Sequence, residues 1–316
     1  MIEPHWTTAQ ASPYKDIAAD PVLESIPPMK LSSRAEGYVF ALAAPLCWSF
    51  GGVIIRTVEA GPWDIVFWRA AGHLLFFPFL LAFLLRVPIV GSLQAGGRTT
   101  LVSGLMVTGM FSLHVLAMTS TSVANALLLQ STSPILVAIL GWLALRERVS
   151  LTSWIAIAVA FSGLAVVMGG GLADGAMFGK AMALGVAICS AVNVLLVRAY
   201  PTLDLRPATL LGAAASMGLG FAFSEVLAVD LGSIAALIFL GMLQMSVGLA
   251  FFFAALKRLP PVEVALITLL EPVLGPIWTW LAVGEVPASS TIYGGAILLA
   301  ALAFNAFGAA RAKTVP

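Results

Sequence analysis

Three ionisable side chains, Arg69, His73 and Glu271, lie within long apolar stretches of this sequence. Arg69 and His73 are four residues apart, so an α-helix places them on one face. The planar guanidinium of arginine suits a carboxylate ligand, and histidine titrates in the physiological pH range. A carboxyl group in apolar surroundings suits proton coupling or the binding of an amine. These residue types therefore predict a binding site for a small polar molecule.

Each of the three residues also has a structural interpretation. Arg69 could pair with an internal acid or reach a lipid phosphate, because its long side chain can extend towards the membrane surface. Glu271 could be a structural acid bonded to serine, tryptophan or backbone groups. His73 could be a hydrogen-bonded packing residue. The sequence alone leaves both interpretations open for all three.

Uncharged polar and aromatic residues in the apolar stretches are further candidates for contact with a substrate: Gln130, Ser133, Asn193, Gln244, Trp48 and Trp278. Hydrogen bonds between helices are the alternative explanation for the polar ones. The two tryptophans lie deeper than membrane-interface anchors usually do, so they could stack on a substrate. With three histidines and two separated cysteines, the chain offers no clustered catalytic groups or metal ligands. We therefore expect no enzyme activity, cofactor or metal.

Two prolines, Pro134 and Pro272, fall in the middle of apolar stretches that are long enough to be helices. Proline lacks an N–H and clashes with the preceding turn, so each is expected to kink its helix and to free a backbone carbonyl. Such carbonyls are tolerated at membrane depth only beside protein or a polar cavity. Because polar residues precede both prolines, we expect the kinks to line a central cavity. Bending around neighbouring helices is the alternative.

The composition indicates which solvent surrounds these stretches. Hydrophobic residues make up 60% of the 316 residues, charged residues make up 10%, and the mean hydropathy is +1.01. Soluble domains carry about 25% charged residues, so the chain is predicted to be a polytopic integral membrane protein. This excludes soluble enzymes and secreted disulfide-rich domains, and a net charge of +1 provides no basic surface for nucleic acid. Cys47 and Cys189 are expected to be free thiols.

Runs of about 20 apolar residues, the length needed to cross the hydrocarbon layer, divide the chain into ten predicted helices. They cover residues 36–55, 62–84, 99–119, 122–143, 151–169, 177–199, 207–227, 232–256, 262–282 and 291–309. Of the 16 Lys and Arg residues, all except Arg56, Arg69 and Lys180 fall on one side of this arrangement. The positive-inside rule makes that side cytoplasmic, so we expect both termini in the cytoplasm.

The second half of the sequence repeats the first. Shifts of 142 and 138 residues align Cys47 with Cys189, Arg56 with Arg198, Pro134 with Pro272, Trp142 with Trp280, and Glu147 with Glu285. Since each unit has five spans, an odd number, the two units must cross the bilayer in opposite directions. The predicted fold is all-α integral membrane, with ten transmembrane helices as two inverted five-helix repeats. We expect a mobile cytoplasmic tail at 1–35, repeats at 36–170 and 177–309, and a cytoplasmic tail at 310–316.

This pattern resembles the EamA-type transporters of the drug/metabolite transporter (DMT) superfamily. The matching stretches are TSPILVAILGWLALRERVS at residues 132–150, LEPVLGPIWTWLAVGEV at residues 270–286 and FWRAAG at residues 67–72. Glu271 with Pro272 is similar to the acid and proline pair of that family, whereas the first repeat has Ser133 in place of the acid. The resemblance covers residues 36–310 and implies a ten-helix bundle around a central cavity that opens alternately to either side.

The resemblance also implies export of a small metabolite. A single arginine within the spans is a poor host for a phosphate dianion, so we expect a zwitterionic or neutral substrate, in the first place an amino acid or derivative. The expected location is a bacterial-type inner membrane, with the substrate gradient or proton coupling as the driving force. The expected partners are the small-molecule substrate and the lipid bilayer, and not nucleic acid. The alternatives are transport of nucleobases, sugars or drugs, and a non-transporting membrane sensor or scaffold of the same fold.

Overall fold

The computed structural model describes residues 33–146, 151–169, 176–224 and 229–312. These residues form ten helical rods: α1 (Ser33–Thr57), α2 (Pro62–Leu84), α3 (Ile89–Ser120), α4 (Val123–Leu145), α5 (Leu151–Gly169), α6 (Met177–Ala199), α7 (Ala208–Phe223), α8 (Leu231–Leu256), α9 (segments Pro261–Thr268 and Glu271–Val283) and α10 (Ser289–Ala312). Eight of them are long and apolar enough to cross a membrane, and α7 and the Ser289–Asn305 part of α10 are shorter apolar segments. The predicted all-α membrane fold of two five-helix repeats is thus confirmed.

Both ends of the described bundle extend beyond the predicted spans. α1 begins at Ser33 and α10 continues to Ala312, so three residues of each predicted tail, 1–35 and 310–316, are helical. The remainder of those tails, and Glu147, lie outside the described residues. Helix ends are weakly marked in sequence, because the last turn continues for as long as its side chains tolerate the membrane surface.

A short helix that the sequence did not predict precedes the third span. α3 begins at Ile89, ten residues before its predicted start at 99. Pro88 stands just before its first turn, and Gly97 has a φ of 47°, a conformation that favours glycine, so a short helix joins the longer one at a kink. Glycines interrupt the apolar residues between Ile89 and the kink, so the continuous apolar run that predicts a span begins only after the kink.

Local sequence signals mark several helix ends. The Ser122 hydroxyl accepts a backbone N–H at the start of α4, and the Asp230 carboxylate accepts the N–H groups of Gly232 and Ser233 at the start of α8. Hydrogen bonds from Ser233 hold the pKa of Asp230 below its usual range. α9 ends at Val283, and Gly284 follows it with a φ of 71°, the left-handed conformation typical of a residue just after a helix.

Both proline-bearing helices are interrupted. The first segment of α4 ends at Gln130, and the second begins at Ser133 with Pro134 in its first turn. The second segment of α9 begins at Glu271, with Pro272 in its first turn. Proline is tolerated there because the first N–H groups of a helix have no intrahelical acceptor. Each rod therefore contains a helix N-terminus within its length, at equivalent positions of the two repeats.

Eight of the ten helices form a closed ring that alternates between the repeats. α1 packs against α8 and α9, α2 against α7 and α8, α3 against α6 and α7, and α4 against α6 and α9. α5 and α10 pack against each other outside this ring. That contact depends on glycine, since a Cβ on Gly163 would lie 2.7 Å from the carbonyl oxygen of Gly294. The ring brings side chains of α2, α3, α4 and α9 within reach of one another.

Candidate functional site

Arg69 and His73 lie on α2 where that helix packs directly against α8. Arg69 has 6% of its surface exposed and His73 has none. Two glycines permit the close approach of the helices. A Cβ on Gly72 would lie 2.3 Å from the Ile238 carbonyl oxygen, and one on Gly241 would lie 2.1 Å from the Arg69 carbonyl oxygen. This backbone contact fixes the depth and rotation of Arg69 and His73.

The Arg69 guanidinium makes no hydrogen bond or ion pair with any part of the chain that the structure describes. Its Nε is buried and has no hydrogen-bond partner among those described residues. Arg69 does interact electrostatically with Glu271 of α9, which belongs to the other repeat. Burying a cation without a direct partner is costly at membrane depth. The arrangement therefore leaves two opposite charges within range of each other but not neutralised by a direct bond.

Glu271 is the first residue of the second α9 segment, and it is partly buried. The free N–H groups at a helix N-terminus carry partial positive charge, which stabilises a carboxylate there. Its counterpart in α4, Ser133, donates a hydrogen bond to Ser190 of α6 at 3.0 Å. The two helix breaks are thus equivalent in backbone but not in chemistry, because only α9 carries a charged group at its break.

His73 is held by one polar and two aromatic contacts. Its Nδ1 lies 2.9 Å from the Ser246 Oγ of α8. Its ring stacks on Phe77 with centroids 4.5 Å apart and meets the edge of Phe111 at 5.5 Å. The other ring nitrogen, Nε2, is buried. Packing therefore holds the ring in place, while Nε2 has no hydrogen-bond partner among the residues that the structure describes.

His114 of α3 belongs to the same cluster, although sequence reasoning missed it. Its Nδ1 lies 2.9 Å from Oε1 of Gln130, at the end of the first α4 segment. Arg69 is within electrostatic range of both His114 and His73. The only feature of the sequence that could have indicated His114 is that a histidine lies within the third predicted span. The structure thus brings together Arg69, His73, Gln130 and Glu271, and adds His114; we name these five residues the central cluster.

The other predicted polar candidates make contacts elsewhere between helices. Asn193 accepts a hydrogen bond from Ser103 at 2.7 Å, which joins α6 to α3. Gln244 donates to the carbonyl oxygen of Trp48 at 2.8 Å, which joins α8 to α1. The Gln244 Oε1 is buried and finds no hydrogen-bond partner within the described part of the chain. Interhelical hydrogen bonding accounts for the contacts of Asn193 and for the donor side of Gln244.

Trp48 and Trp278 both take part in contacts between α1 and neighbouring helices. The Trp278 indole donates to Ser49 Oγ at 3.1 Å and stacks on Phe50 with ring centroids 5.4 Å apart. The Trp48 ring lies against Phe252 at 5.7 Å. Both tryptophans thus have partners in the protein, and these contacts connect α1 to α9 and α8.

Ion pairs tie both ends of α1 to α9. At one end, Arg56 Nε lies 2.9 Å from Glu285 Oε2, and the Glu285 carboxylate also accepts the Val123 N–H at 2.7 Å. At the other end, Arg34 pairs with Glu263 at 3.0 Å. Sequence reasoning assigned no partner to Arg56, because residues so far apart in the chain are paired only by the fold.

The central cluster combines a cation, a carboxylate and two imidazoles on helices of both repeats. Such a set can hold an anionic group at Arg69 and a cationic group at Glu271. Across the described residues, no group of three or more His, Cys, Asp and Glu side chains is arranged to hold a metal ion.

Comparison with known proteins identifies the family. The sequence model of the EamA-like transporter family matches residues 35–169 and 177–307. No curated protein sequence matches the chain. A crystal structure described only as that of a protein superposes with a TM-score of 0.58 and 16% sequence identity, over 88% of this chain and 99% of that chain, a likeness that establishes the fold alone. Because the family model matches both repeats and most of the chain, the protein belongs to the EamA-like transporter family and is a multi-pass membrane transporter of the DMT superfamily.

Proposed function

We propose that this transporter exports a small zwitterionic metabolite, an amino acid or close derivative, by alternating access through the central cluster. The observation that carries the proposal is the relation between Arg69 and Glu271. They are opposite charges on α2 and α9, within electrostatic range, with no ion pair between them in the described residues. A ligand that carries an anion and a cation can contact both.

The cost of burying charge supports a zwitterion. Insertion scales give a charged residue at the centre of a membrane helix a cost of about 2.5–3.5 kcal/mol. A ligand carboxylate on Arg69 and a ligand ammonium on Glu271 would offset that cost, because a hydrogen bond to a charged group contributes about 1.5–3 kcal/mol. A phosphate dianion would bring two negative charges to one arginine beside a carboxylate, which disfavours phosphorylated substrates.

The broken helices support alternating access. In transporters built from inverted repeats, discontinuous helices meet the substrate near the midplane and the repeats rock around it. Gln130 and Glu271, two members of the central cluster, stand at the breaks in α4 and α9. As part of the proposal we assign the chain to a bacterial-type inner membrane with both termini cytoplasmic, from the asymmetry of its Lys and Arg residues. The driving force is the substrate gradient or proton coupling.

Counterflow in proteoliposomes tests the proposal. Vesicles loaded with unlabelled amino acids should accumulate labelled amino acid with saturable kinetics. Arg69→Gln and Glu271→Gln should each lower the rate at least about tenfold, because each removes one charge-assisted contact with the ligand. The matched controls Arg98→Gln and Glu59→Gln change exposed residues and should transport at the wild-type rate.

Two results would contradict the proposal. Absence of saturable flux across amino acids, amines, nucleosides and sugars would contradict transport and favour a scaffold. Saturable flux of a sugar or nucleobase that Glu271→Gln leaves unchanged would contradict the zwitterion assignment. A Glu271→Gln variant with wild-type pH dependence would also exclude proton coupling at this residue.

A further inference from the structure

A narrow cleft of about 90 Å³ lies between α1, α2 and α8. Its walls are apolar side chains from all three helices, among them Phe40, Leu80, Leu84, Val247, Phe251 and Ala254. The rings of Phe40 and Phe251 stack across α1 and α8 with centroids 5.8 Å apart. Because no polar side chain lines this apolar cleft, it suits an aliphatic chain and not a zwitterionic metabolite.

The apolar cleft borders the surface that faces lipid. On α2, Phe79 and Phe83 are 58% and 77% exposed, and each directly precedes a wall residue of the cleft. On α1, Val39 is 42% exposed and directly precedes Phe40. Large apolar side chains that are exposed on a membrane protein contact acyl chains. An acyl chain can therefore reach the cleft from the bilayer.

Arg258 stands at one end of the apolar cleft. Its guanidinium carbon lies 5.0 Å from the centroid of the Phe40 ring, and its NH1 donates to the Ala254 carbonyl oxygen at 3.2 Å. Phe40 and Ala254 both line the cleft. Arg258 comes two residues after Leu256, the last residue of α8. The cleft therefore ends at a cation where the chain leaves the membrane-spanning helix, which is the depth of the lipid headgroups.

Positive charge exceeds negative charge around this end of the cleft. Arg86 directly follows the wall residue Leu85, and Lys257 directly precedes Arg258, whereas Glu36 is the acid that contacts Arg258, at 3.3 Å from its Nε. A guanidinium has five N–H donors. Among the described residues, Arg258 uses one donor on Glu36 and one on the Ala254 carbonyl oxygen. Further donors of Arg258 are thus available to an anion.

We infer that the apolar cleft binds a phospholipid with a negatively charged headgroup, with one acyl chain between the three helices and the phosphate against Arg258. This site lies outside the central cluster, so the inference goes beyond the proposed function. The planar guanidinium matches two oxygens of a phosphate. A choline headgroup carries the same phosphate, but its ammonium would meet Arg86, Lys257 and Arg258. Phosphatidylglycerol should therefore bind in preference to phosphatidylcholine.

Native mass spectrometry of the purified, delipidated full-length protein tests the headgroup assignment. Dioleoyl phosphatidylglycerol should bind at least about tenfold more tightly than dioleoyl phosphatidylcholine. Arg258→Gln should reduce the affinity for phosphatidylglycerol to that for phosphatidylcholine. Arg34→Gln is the matched control, because it also removes the cation of an arginine–glutamate pair but at a side chain that is 67% exposed. It should keep the wild-type preference, and equal affinity of the wild-type protein for the two lipids would overturn the inference.

The position of the acyl chain is tested by filling the cleft. Ala254→Phe places a ring in the cleft and should weaken the binding of phosphatidylglycerol about tenfold. Ala235→Phe enlarges an exposed alanine of the same helix and should bind lipid as the wild type does. Wild-type affinity in Ala254→Phe would overturn the inference.

Photolabelling locates the acyl chain without any substitution. Phosphatidylglycerol that carries a diazirine in one acyl chain should label the wild-type protein at Phe40, at residues 80–85 or at residues 247–254. Labelling confined to other segments would overturn the inference and leave the proposed function intact.

Discussion

Replacing Glu285 with glutamine removes one charge from the contact that joins α1, α9 and the turn between α3 and α4. The Glu285 carboxylate lies 2.9 Å from Arg56 Nε and accepts the Val123 N–H at 2.7 Å, while Arg56 donates to the Thr121 carbonyl oxygen at 2.6 Å. The side chains of Arg56 and Glu285 are 26% and 22% exposed. Three segments of the chain therefore meet at one partly buried ion pair.

The burial of this pair sets the expected magnitude. An exposed ion pair contributes about 0.2–1 kcal/mol, and a hydrogen bond to a charged group contributes about 1.5–3 kcal/mol. We expect Glu285→Gln to cost about 1–2 kcal/mol, because the pair is partly exposed and the glutamine oxygen can still accept the Val123 N–H. A change of that size raises the population in which α1 and α9 have separated by about 5–30-fold.

Thiol labelling measures that population. Val123 is fully buried, so a cysteine introduced there, in a chain whose Cys47 and Cys189 are replaced by alanine, should react with a maleimide only when this end opens. The labelling rate then follows the open population. Glu285→Gln should raise the rate about 5–30-fold in detergent-purified protein.

The opposite end of α9 provides the control. Glu263 pairs with Arg34, whose side chain is 67% exposed, so Glu263→Gln should change the labelling rate at position 123 by less than about twofold. A Glu285→Gln rate equal to that of the parent, or an equal increase from Glu263→Gln, would refute the assignment of the Arg56–Glu285 contact as the bond that holds this end closed.

Two further substitutions test packing between helices by thermal unfolding. Lys180→Met should lower the free energy of unfolding by about 2–4 kcal/mol. The reason is that Lys180 is fully buried and its Nζ donates to two carbonyl oxygens at the end of α5, at 2.9 and 3.2 Å. An unchanged unfolding midpoint would contradict this capping role. Gly163→Val should cost about 1–3 kcal/mol or more, since its Cβ would lie 2.7 Å from the Gly294 carbonyl oxygen. Gly218→Val, where a Cβ would meet no atom of the described residues within 4 Å, should unfold close to the wild-type midpoint. Equal effects of the two valines would show that α5 and α10 do not depend on close contact.

Much of the helical layout was predictable from composition. A membrane-spanning helix must satisfy its own backbone hydrogen bonds, so a long apolar run has little alternative to a helix. The short helix that begins at Ile89 escaped prediction, because its glycines interrupt the apolar run and Gly97 breaks the rod. The helix breaks in α4 and α9 follow from Pro134 and Pro272, whose missing N–H groups act locally.

The candidate site was only partly predictable. Arg69, His73 and Glu271 were recognisable because a charged or titratable group in an apolar span is rare and costly. His114 was not distinguished, since a lone histidine has no spacing to another polar residue that marks it. The partner of Gln130 could not be read from sequence, because α3 and α4 meet in space and not along the chain.

By itself, the amino-acid sequence determined that the protein is an integral membrane protein and that it folds as two related five-helix units of opposite orientation. It also determined which few polar side chains lie in the membrane-spanning helices. These properties depend on local hydrophobicity, charge and proline, each of which acts within a single helix. Tertiary structure alone decided that Arg69 and Glu271 approach without an ion pair between them, that His73 contacts Ser246 and His114 contacts Gln130, and that Arg56 meets Glu285. Each of these relations joins residues of different helices or helix ends, and for α2 and α8 the close contact at Gly72 and Gly241 sets how the helices pack.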